Sequence, residues 1–137
     1  MAKELVGKVL THVERREYDW VFSFSDDVHL AVPSLWRIVK DERVAFCGDD
    51  HAHQFGLPAP LDGVEVAKKL LSGKKITAVS VRADTGDLAI TFNNAVLLEV
   101  LTASGGYEGW RLSIRELEVV VQGGGKLICW TDTSQQR

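Results

Sequence analysis

Large apolar residues alternate with small or polar ones along several short segments of the chain, the pattern of half-buried β-strands. In the first such segment, Trp20–Phe24, every second side chain is aromatic, and Asp26-Asp27 separates it from another alternating run, Val28–Val32. Two alternating runs joined by a short polar turn predict a β-hairpin. The same plan returns at Leu88–Phe92 and residues 96–100. The chain is therefore predicted to contain two similar hairpins.

The hairpins belong to an internal repeat that covers most of the sequence. Leu5-Val6-Gly7-Lys8 returns as Leu71-Ser72-Gly73-Lys74, and each copy later reaches a Trp-Arg-aliphatic step, at 36–38 and 110–112. Repeated units of this kind bury their apolar faces against each other. The copies, at about 5–50 and 71–125, therefore predict two antiparallel β-meanders related by a pseudo-twofold, in a sandwich or an open barrel.

A different pattern, at residues 51–72, links the two copies. Residues 55–60 contain two prolines, which are unfavourable in a central strand and predict a loop. Asp62 is a candidate N-cap, and the apolar residues after it recur at helical spacing until Gly73, a candidate stop residue. The fold class is predicted to be mainly β (α+β), in one domain of 137 residues. The polar segment from Thr131 to Arg137 is expected to fray.

The outward-facing positions of the last meander strands differ between the copies. The second copy has the apolar residues Leu97 and Leu101 where the first has His29 and Pro33. A large exposed apolar patch usually marks an interaction surface. Either the linking helix covers this face, or a partner chain covers it, or the protein associates with itself as a homodimer through Leu97 and Leu101.

Composition narrows the functional classes. The net charge of −3 argues against a general nucleic-acid binder, which would need to neutralise phosphates. No segment approaches the roughly 18 consecutive apolar residues of a membrane span, and the first residues show no apolar signal core. The two cysteines, Cys47 and Cys129, suit neither a metal pair nor a disulfide framework, and Cys129 is expected to pack as a small apolar residue. A soluble cytoplasmic protein without a cofactor is expected.

The second copy contains an insertion that is a candidate binding loop. Residues 101–109 take the place that residues 33–35 occupy in the first copy, and added residues in one repeat usually form a surface loop. Aromatic residues and arginine dominate protein interfaces. Tyr107, Glu108, Trp110 and Arg111 are therefore predicted to bind a partner. In the alternative, Tyr107 and Trp110 pack over the end of the sheet and Glu108 is solvated.

The second candidate is the cluster at residues 47–53. Asp50, His51 and His53 are possible metal ligands, and the histidines at i and i+2 lie on one side of an extended segment. A further ligand would have to come from elsewhere in the chain, and the same residue types are common in solvated turns. No nucleophile elbow is present, so no catalytic residue is predicted and an enzyme is not expected.

The motifs of the second copy resemble those of a protein family. Residues 105–112, Gly-Gly-Tyr-Glu-Gly-Trp-Arg-Leu, follow the Leu-Glu-Val-Leu strand at 98–101. This arrangement resembles an uncharacterised family of small bacterial proteins, frequent in actinobacteria, that carry a Gly-Tyr-Glu-Ser/Gly-Trp motif. Val13, Arg15, Tyr18 and Trp20 are similar to that family's opening pattern. Similar Tyr-x-x-Trp motifs occur in small proteins encoded beside bacterial toxins, so the resemblance implies an immunity-like role.

Together these observations predict a non-enzymatic protein-binding module, namely a cytoplasmic immunity-type protein that neutralises a toxin. The acidic balance fits a basic partner, as many nucleases are. Two alternatives remain open at the level of sequence. One is a small-molecule or metal-dependent protein that uses the cluster from Asp49 to His53, with the inserted loop as a lid. The other is a structural homodimer.

Overall fold

The computed structural model describes residues 1–131, which form eleven β-strands, two α-helices and two short 3₁₀ turns. The helices are α1, Ala2–Leu5, and α2, Gly63–Leu71; the 3₁₀ turns are Gly48–Asp50 and Asn93–Ala95. The strands are β1 Leu10–Arg15, β2 Trp20–Phe24, β3 Val28–Val32, β4 Leu35–Lys40, β5 Arg43–Cys47, β6 Ile76–Val81, β7 Leu88–Phe92, β8 Val96–Leu101, β9 Trp110–Ile114, β10 Leu117–Val121 and β11 Leu127–Thr131. Thr131 closes β11, and the rest of the segment predicted to fray lies outside the described residues.

The strands form two antiparallel sheets that share one apolar core. Sheet I has the order β1-β2-β3-β9-β10-β11, and sheet II has the order β5-β4-β8-β7-β6. Aromatic side chains join the sheets: Phe22 of β2 meets Trp36 of β4 edge to face, with ring centroids 5.0 Å apart. The predicted fold class is confirmed, and of the two predicted forms the structure is the open-sheet sandwich.

The two copies of the repeat exchange strands between the sheets. The first copy places β1–β3 in sheet I and β4–β5 in sheet II, whereas the second places β6–β8 in sheet II and β9–β10 in sheet I. The junctions are equivalent: Leu30 of β3 lies opposite Leu112 of β9, and Leu98 of β8 lies opposite Ile38 of β4. Strand β11 follows the second copy and has no counterpart after β5.

The pseudo-twofold axis runs through the place where the copies begin. Val9 forms an antiparallel bridge with Lys75, its own counterpart in the repeat. Nearby, the Ile76 N–H donates to the Lys8 carbonyl at 2.9 Å. Phe24 and its counterpart Phe92 stack across the core, with ring centroids 6.3 Å apart. Contacts between equivalent residues are the signature of a twofold interface, so the copies are arranged like the halves of a symmetric dimer.

Helix α2 begins at the predicted cap and packs on the edge of sheet I. The Asp62 carboxylate accepts the Val64 N–H at 3.1 Å, and Ala67 and Leu71 are buried against the core. The helix contacts β1 rather than the outer face of β8. The alternative in which this helix covers Leu97 and Leu101 is therefore wrong.

Two further sequence expectations concern exposure. Cys129 is exposed, so the prediction that it packs as a small apolar residue is wrong. Strand β11 forms the edge of sheet I, where side chains that face the interior also receive little cover. Leu97 and Leu101 are half-buried on the outer face of sheet II, on either side of an ion pair between Arg37 and Glu99 at 2.9 Å. Within the described part of the chain, no helix has the length and apolar character that crossing a membrane requires.

Candidate functional site

Turns from both copies meet at one end of the sandwich and enclose a groove, called here the end groove. Its volume is about 540 Å³. Tyr18 of the β1–β2 turn, Leu35 at the start of β4 and Asp49 of the first 3₁₀ turn line one side. Tyr107 and Glu108 of the inserted loop line the other. The groove therefore joins residues that are far apart in sequence.

A difference in turn length explains why the groove opens beside the first copy. Only Glu17 and Tyr18 separate Arg16 from Asp19, while four residues separate Arg82 from Asp87 in the second copy. The longer turn packs so closely on Gly125 that there is no room for a Cβ between that glycine and the backbone of Thr85. The two-residue turn of the first copy instead places Tyr18 in the lining of the end groove, together with Asp49. The groove therefore opens beside the shorter of the two turns.

The inserted loop is held in place by hydrogen bonds within the loop and by hydrogen bonds to residues on either side of it. The Gly124 N–H donates to the Ser104 carbonyl at 2.8 Å. The Ser104 hydroxyl oxygen accepts the N–H groups of Gly106 and Tyr107, both at 3.0 Å. From the other side, the Ser34 hydroxyl donates to the Gly109 carbonyl. These hydrogen bonds hold the backbone on both sides of Tyr107 in place.

Three of the four residues predicted to bind a partner lie at the surface, next to one another. Tyr107 is 83% exposed. The Arg111 guanidinium is 3.2 Å from the Glu108 carboxylate and lies 5.6 Å over the ring of Trp130 on β11. Arg111 thus orients Glu108 at the rim and connects the groove to the edge of sheet I.

The fourth residue, Trp110, lies in the core. It is 0% exposed, and its indole N–H donates to the Gly86 carbonyl at 2.8 Å. Trp110 faces inward because it alternates with Arg111 on β9 and shares its face with Leu112. A direct contact between Trp110 and a partner does not fit this burial, and its position supports the alternative of packing at the sheet end.

The counterpart of Trp110 in the first copy, Trp36, lacks the equivalent hydrogen bond. Trp36 is 1% exposed, and its indole nitrogen has no hydrogen-bond acceptor within the described structure. The indole lies against Gly48, the residue before Asp49 of the groove, with no space for a Cβ there. The acceptor of Trp110, Gly86, lies in the four-residue turn of the second copy, where the first copy has a turn of only two residues.

Sequence reasoning missed Tyr18 as a site residue. Its side chain is 83% exposed, as much as that of Tyr107, and both side chains line the same groove. The usable signal is the repeat itself: aligning the two copies shows that Tyr18 lies in the shortened turn. Leu35 and Asp49 carry no comparable signal, because their place in the groove depends on how distant turns come together.

The candidate metal ligands are engaged in local structure instead. The Asp50 carboxylate accepts the Cys47 N–H at 3.0 Å. His51 accepts the Gly63 N–H at 2.9 Å through Nδ1, and its ring meets Trp20 edge to face. His53 stacks on Phe55, with ring centroids 5.5 Å apart. Among residues 1–131, no three His, Cys, Asp or Glu side chains are grouped closely enough to hold a metal ion.

The side chains of the end groove offer contacts for binding. Its lining, as far as the described residues form it, includes tyrosines, carboxylates and small residues but no histidine, cysteine or lysine. Both serine hydroxyls of the lining are hydrogen-bonded to backbone groups, Ser34 to Gly109 and Ser104 to its own loop. Activation of a serine as a nucleophile needs an adjacent base, and neither hydroxyl is hydrogen-bonded to a side-chain base among the described residues. The groove offers aromatic faces and negative charge.

Comparison with known proteins adds nothing to this geometry. No family model, no curated protein and no solved structure matches the chain. The resemblance to small actinobacterial proteins with a Gly-Tyr-Glu-Gly-Trp motif accordingly stays a prediction.

Proposed function

We propose that this protein is a non-enzymatic binding module whose end groove receives a basic side chain of a protein partner. The observation that carries the proposal is the pairing of two tyrosines, Tyr18 and Tyr107, each 83% exposed on the same groove. Exposed tyrosines offer large contact areas at low entropic cost and are common where proteins bind each other.

The charge of the groove favours a cation as the occupant. Asp49 and Glu108 line it, and no basic side chain does so among the described residues. The Glu108 carboxylate is partly neutralised by Arg111, while Asp49 is exposed and forms no ion pair within residues 1–131. An arginine or lysine that enters would meet Asp49 and could stack on a tyrosine face, a contact that contributes about 0.5–2 kcal/mol.

A more specific proposal is that the partner is a bacterial toxin and that this chain is its cytoplasmic immunity protein. The net charge of −3 and the rigid inserted loop support it, as does the resemblance of residues 105–112. A protein that only occludes an active site needs a stable scaffold and a few anchoring side chains. The metal-dependent alternative is not proposed, because Asp50 and His51 accept backbone hydrogen bonds.

The test is capture of a partner from a lysate of the source organism by wild-type and variant proteins. We expect a basic protein to bind the wild type in stoichiometric amount, to dissociate as salt is raised, and to be lost from the double variant Tyr18→Ala/Tyr107→Ala. Phe55→Ala is the matched control, because Phe55 is 65% exposed but lies outside the groove.

Thermal unfolding of each variant checks that the fold is intact. An intact fold is expected because both tyrosine side chains are exposed. A partner that binds the double tyrosine variant as tightly as the wild type would show that the end groove is not its binding site. Capture of an acidic partner would contradict the charge argument.

A further inference from the structure

The edges of the two sheets differ in how they are protected against pairing with other strands. Edge strands expose unpaired N–H and C=O groups, and natural proteins commonly interrupt them with bulges or charges. Three of the four edges, β1, β5 and β6, contain a shift in register, with Thr11, Ala45 and Thr77 as the extra residues. These three edges are protected in the usual way.

The fourth edge strand, β11, has none of these protections. Its register with β10 continues without a shift from Leu127 to Thr131. Its sequence, Leu-Ile-Cys-Trp-Thr, has neither a charge nor a proline. Leu127 and Trp130 are 42% and 41% exposed. Within residues 1–131, no other strand pairs with its outer edge.

The hydrogen bonding of β11 shows which of its backbone groups face away from β10. The Gln122 N–H donates to the Lys126 carbonyl at 2.8 Å, so residue 126 faces β10. Backbone groups alternate in direction along an antiparallel strand, so Ile128 and Trp130 also face β10. Leu127, Cys129 and Thr131 therefore direct their N–H and C=O groups outward. Cys129 is the middle residue of this outward series.

We propose that β11 pairs antiparallel with β11 of a second copy of the chain, about a twofold axis through Cys129. The two Cys129 residues then exchange both backbone hydrogen bonds, and Leu127 of each copy lies opposite Thr131 of the other. The two copies of sheet I become one continuous sheet. This inference is independent of the end groove and of its proposed partner.

The side chains of β11 favour a second copy over an unrelated strand. In this register Ile128 of one copy lies opposite Trp130 of the other, and the twofold repeats the pair. Aromatic side chains opposite β-branched ones are among the favourable cross-strand pairs. The uncharged strand brings no like charges together. Arg111, which lies over Trp130, holds that ring on the outer face of sheet I, beside the position that Ile128 of the second copy would take.

The decisive variant is Cys129→Lys, examined by sedimentation equilibrium. Cys129 is exposed and does not direct its backbone groups at β10, so the monomer should fold normally. We expect the wild type to be a dimer, and Cys129→Lys to weaken dimerisation at least tenfold. Val44→Lys is the matched control, because Val44 is 54% exposed on the bulged edge strand β5; it should remain a dimer.

Cross-linking gives a second measurement that does not depend on a destabilising variant. Directly opposed residues that exchange hydrogen bonds have Cα atoms about 5.5 Å apart, within the range that a disulfide spans. An added thiol oxidant should therefore link Cys47→Ser chains into covalent dimers and leave Cys129→Ser chains unlinked.

Three outcomes would overturn the proposal. One is a wild type that sediments as a monomer throughout the micromolar range. The other is a dimer that survives Cys129→Lys but dissociates with Leu101→Lys, which would assign the interface to the outer face of sheet II predicted from the sequence. A mixed complex with an unrelated strand, in place of the dimer, would also exclude self-pairing.

Discussion

The two buried tryptophans allow the contribution of a buried indole hydrogen bond to the free energy of unfolding to be tested. Trp36 and Trp110 are counterparts, 1% and 0% exposed; within residues 1–131 the N–H of Trp110 has an acceptor, the Gly86 carbonyl at 2.8 Å, and that of Trp36 has none. Replacing each by phenylalanine removes the N–H and part of the ring. The two substitutions change the same atoms in equivalent places, so the difference between them reports the hydrogen bond of Trp110 together with the aromatic contacts of Trp36.

The expected magnitudes follow from the contacts of each ring. Both variants lose some buried volume, at a cost of about 1–2 kcal/mol, well below the 3–5 kcal/mol typical of Trp→Ala. Trp110→Phe also leaves the buried Gly86 carbonyl without its donor, which costs about 1–3 kcal/mol more. Trp36→Phe weakens edge-to-face contacts with Trp20 and Phe22, worth about 0.5–1.5 kcal/mol, but removes an unpaired donor whose burial costs about 1–3 kcal/mol.

Central values of these terms make Trp110→Phe about 3 kcal/mol more destabilising than Trp36→Phe, and their least favourable combination still leaves a difference of about 0.5 kcal/mol. For a domain of this size, 1 kcal/mol corresponds to roughly 3–5 °C in Tm. Urea unfolding followed by far-ultraviolet circular dichroism measures it without relying on the fluorescence of the altered residues. The slopes with urea should agree between the variants, so that midpoints can be compared.

Equal losses of stability, or a larger loss for Trp36→Phe, would refute the reasoning. Such a result would mean that the Trp36 N–H has an acceptor in solution, for instance a water molecule bound beside Gly48. Exchange of the indole hydrogens, followed by NMR, distinguishes the two cases.

The remaining predictions concern an ion pair and a helix cap. Arg82 holds the pKa of Asp84 at about 2, below its ordinary 3.8, so this pair's contribution to stability is complete above pH 3.8 and is lost as the pH falls towards 2. Arg82→Gln should raise the pKa of Asp84 towards 3.8, as NMR titration of the carboxylate would measure; an unchanged pKa would contradict the assignment of Arg82 as its cause. Asp62→Ala removes the side-chain cap of α2 and should reduce stability by about 0.5–2 kcal/mol in urea unfolding, whereas Asp62→Ser, which retains a capping oxygen, should restore most of it.

Much of the fold could be predicted from the sequence because the internal repeat and the alternation of apolar and polar residues both depend on local backbone geometry. Trp20, Phe22 and Phe24 face the core as the period of two requires, and Asp62 caps α2 where the spacing places it. The exchange of strands could not be predicted in the same way. Alternation shows which side of a strand is buried, but not which sheet the strand joins, and β4 continues in the other sheet after β3.

The site was harder to predict, for physical reasons that differ from residue to residue. Tyr107 could be found because an insertion in one repeat forms a loop, while the burial of Trp110 could have been read from its alternation with Arg111. The prediction for Cys129 is wrong because the side chains of a strand at the sheet edge are less covered than those of a central strand with the same apolar pattern. The end groove depends on four turns that meet only after folding.

The exchange of strands also determines when the chain can fold. Strand β3 pairs with β9, and β4 pairs with β8, so each sheet contains strands from both halves of the chain. Neither sheet can therefore be completed before the second half of the chain is available. While the protein is being synthesised, the first copy emerges with unsatisfied edges on β3 and β4 and no sheet that it can complete. Because such distant pairings must form together, folding belongs to the slow class of β-proteins, on the order of milliseconds to seconds. A nascent chain that stalls after α2 would therefore be a natural substrate for chaperones, whereas the finished protein has no half that can open alone.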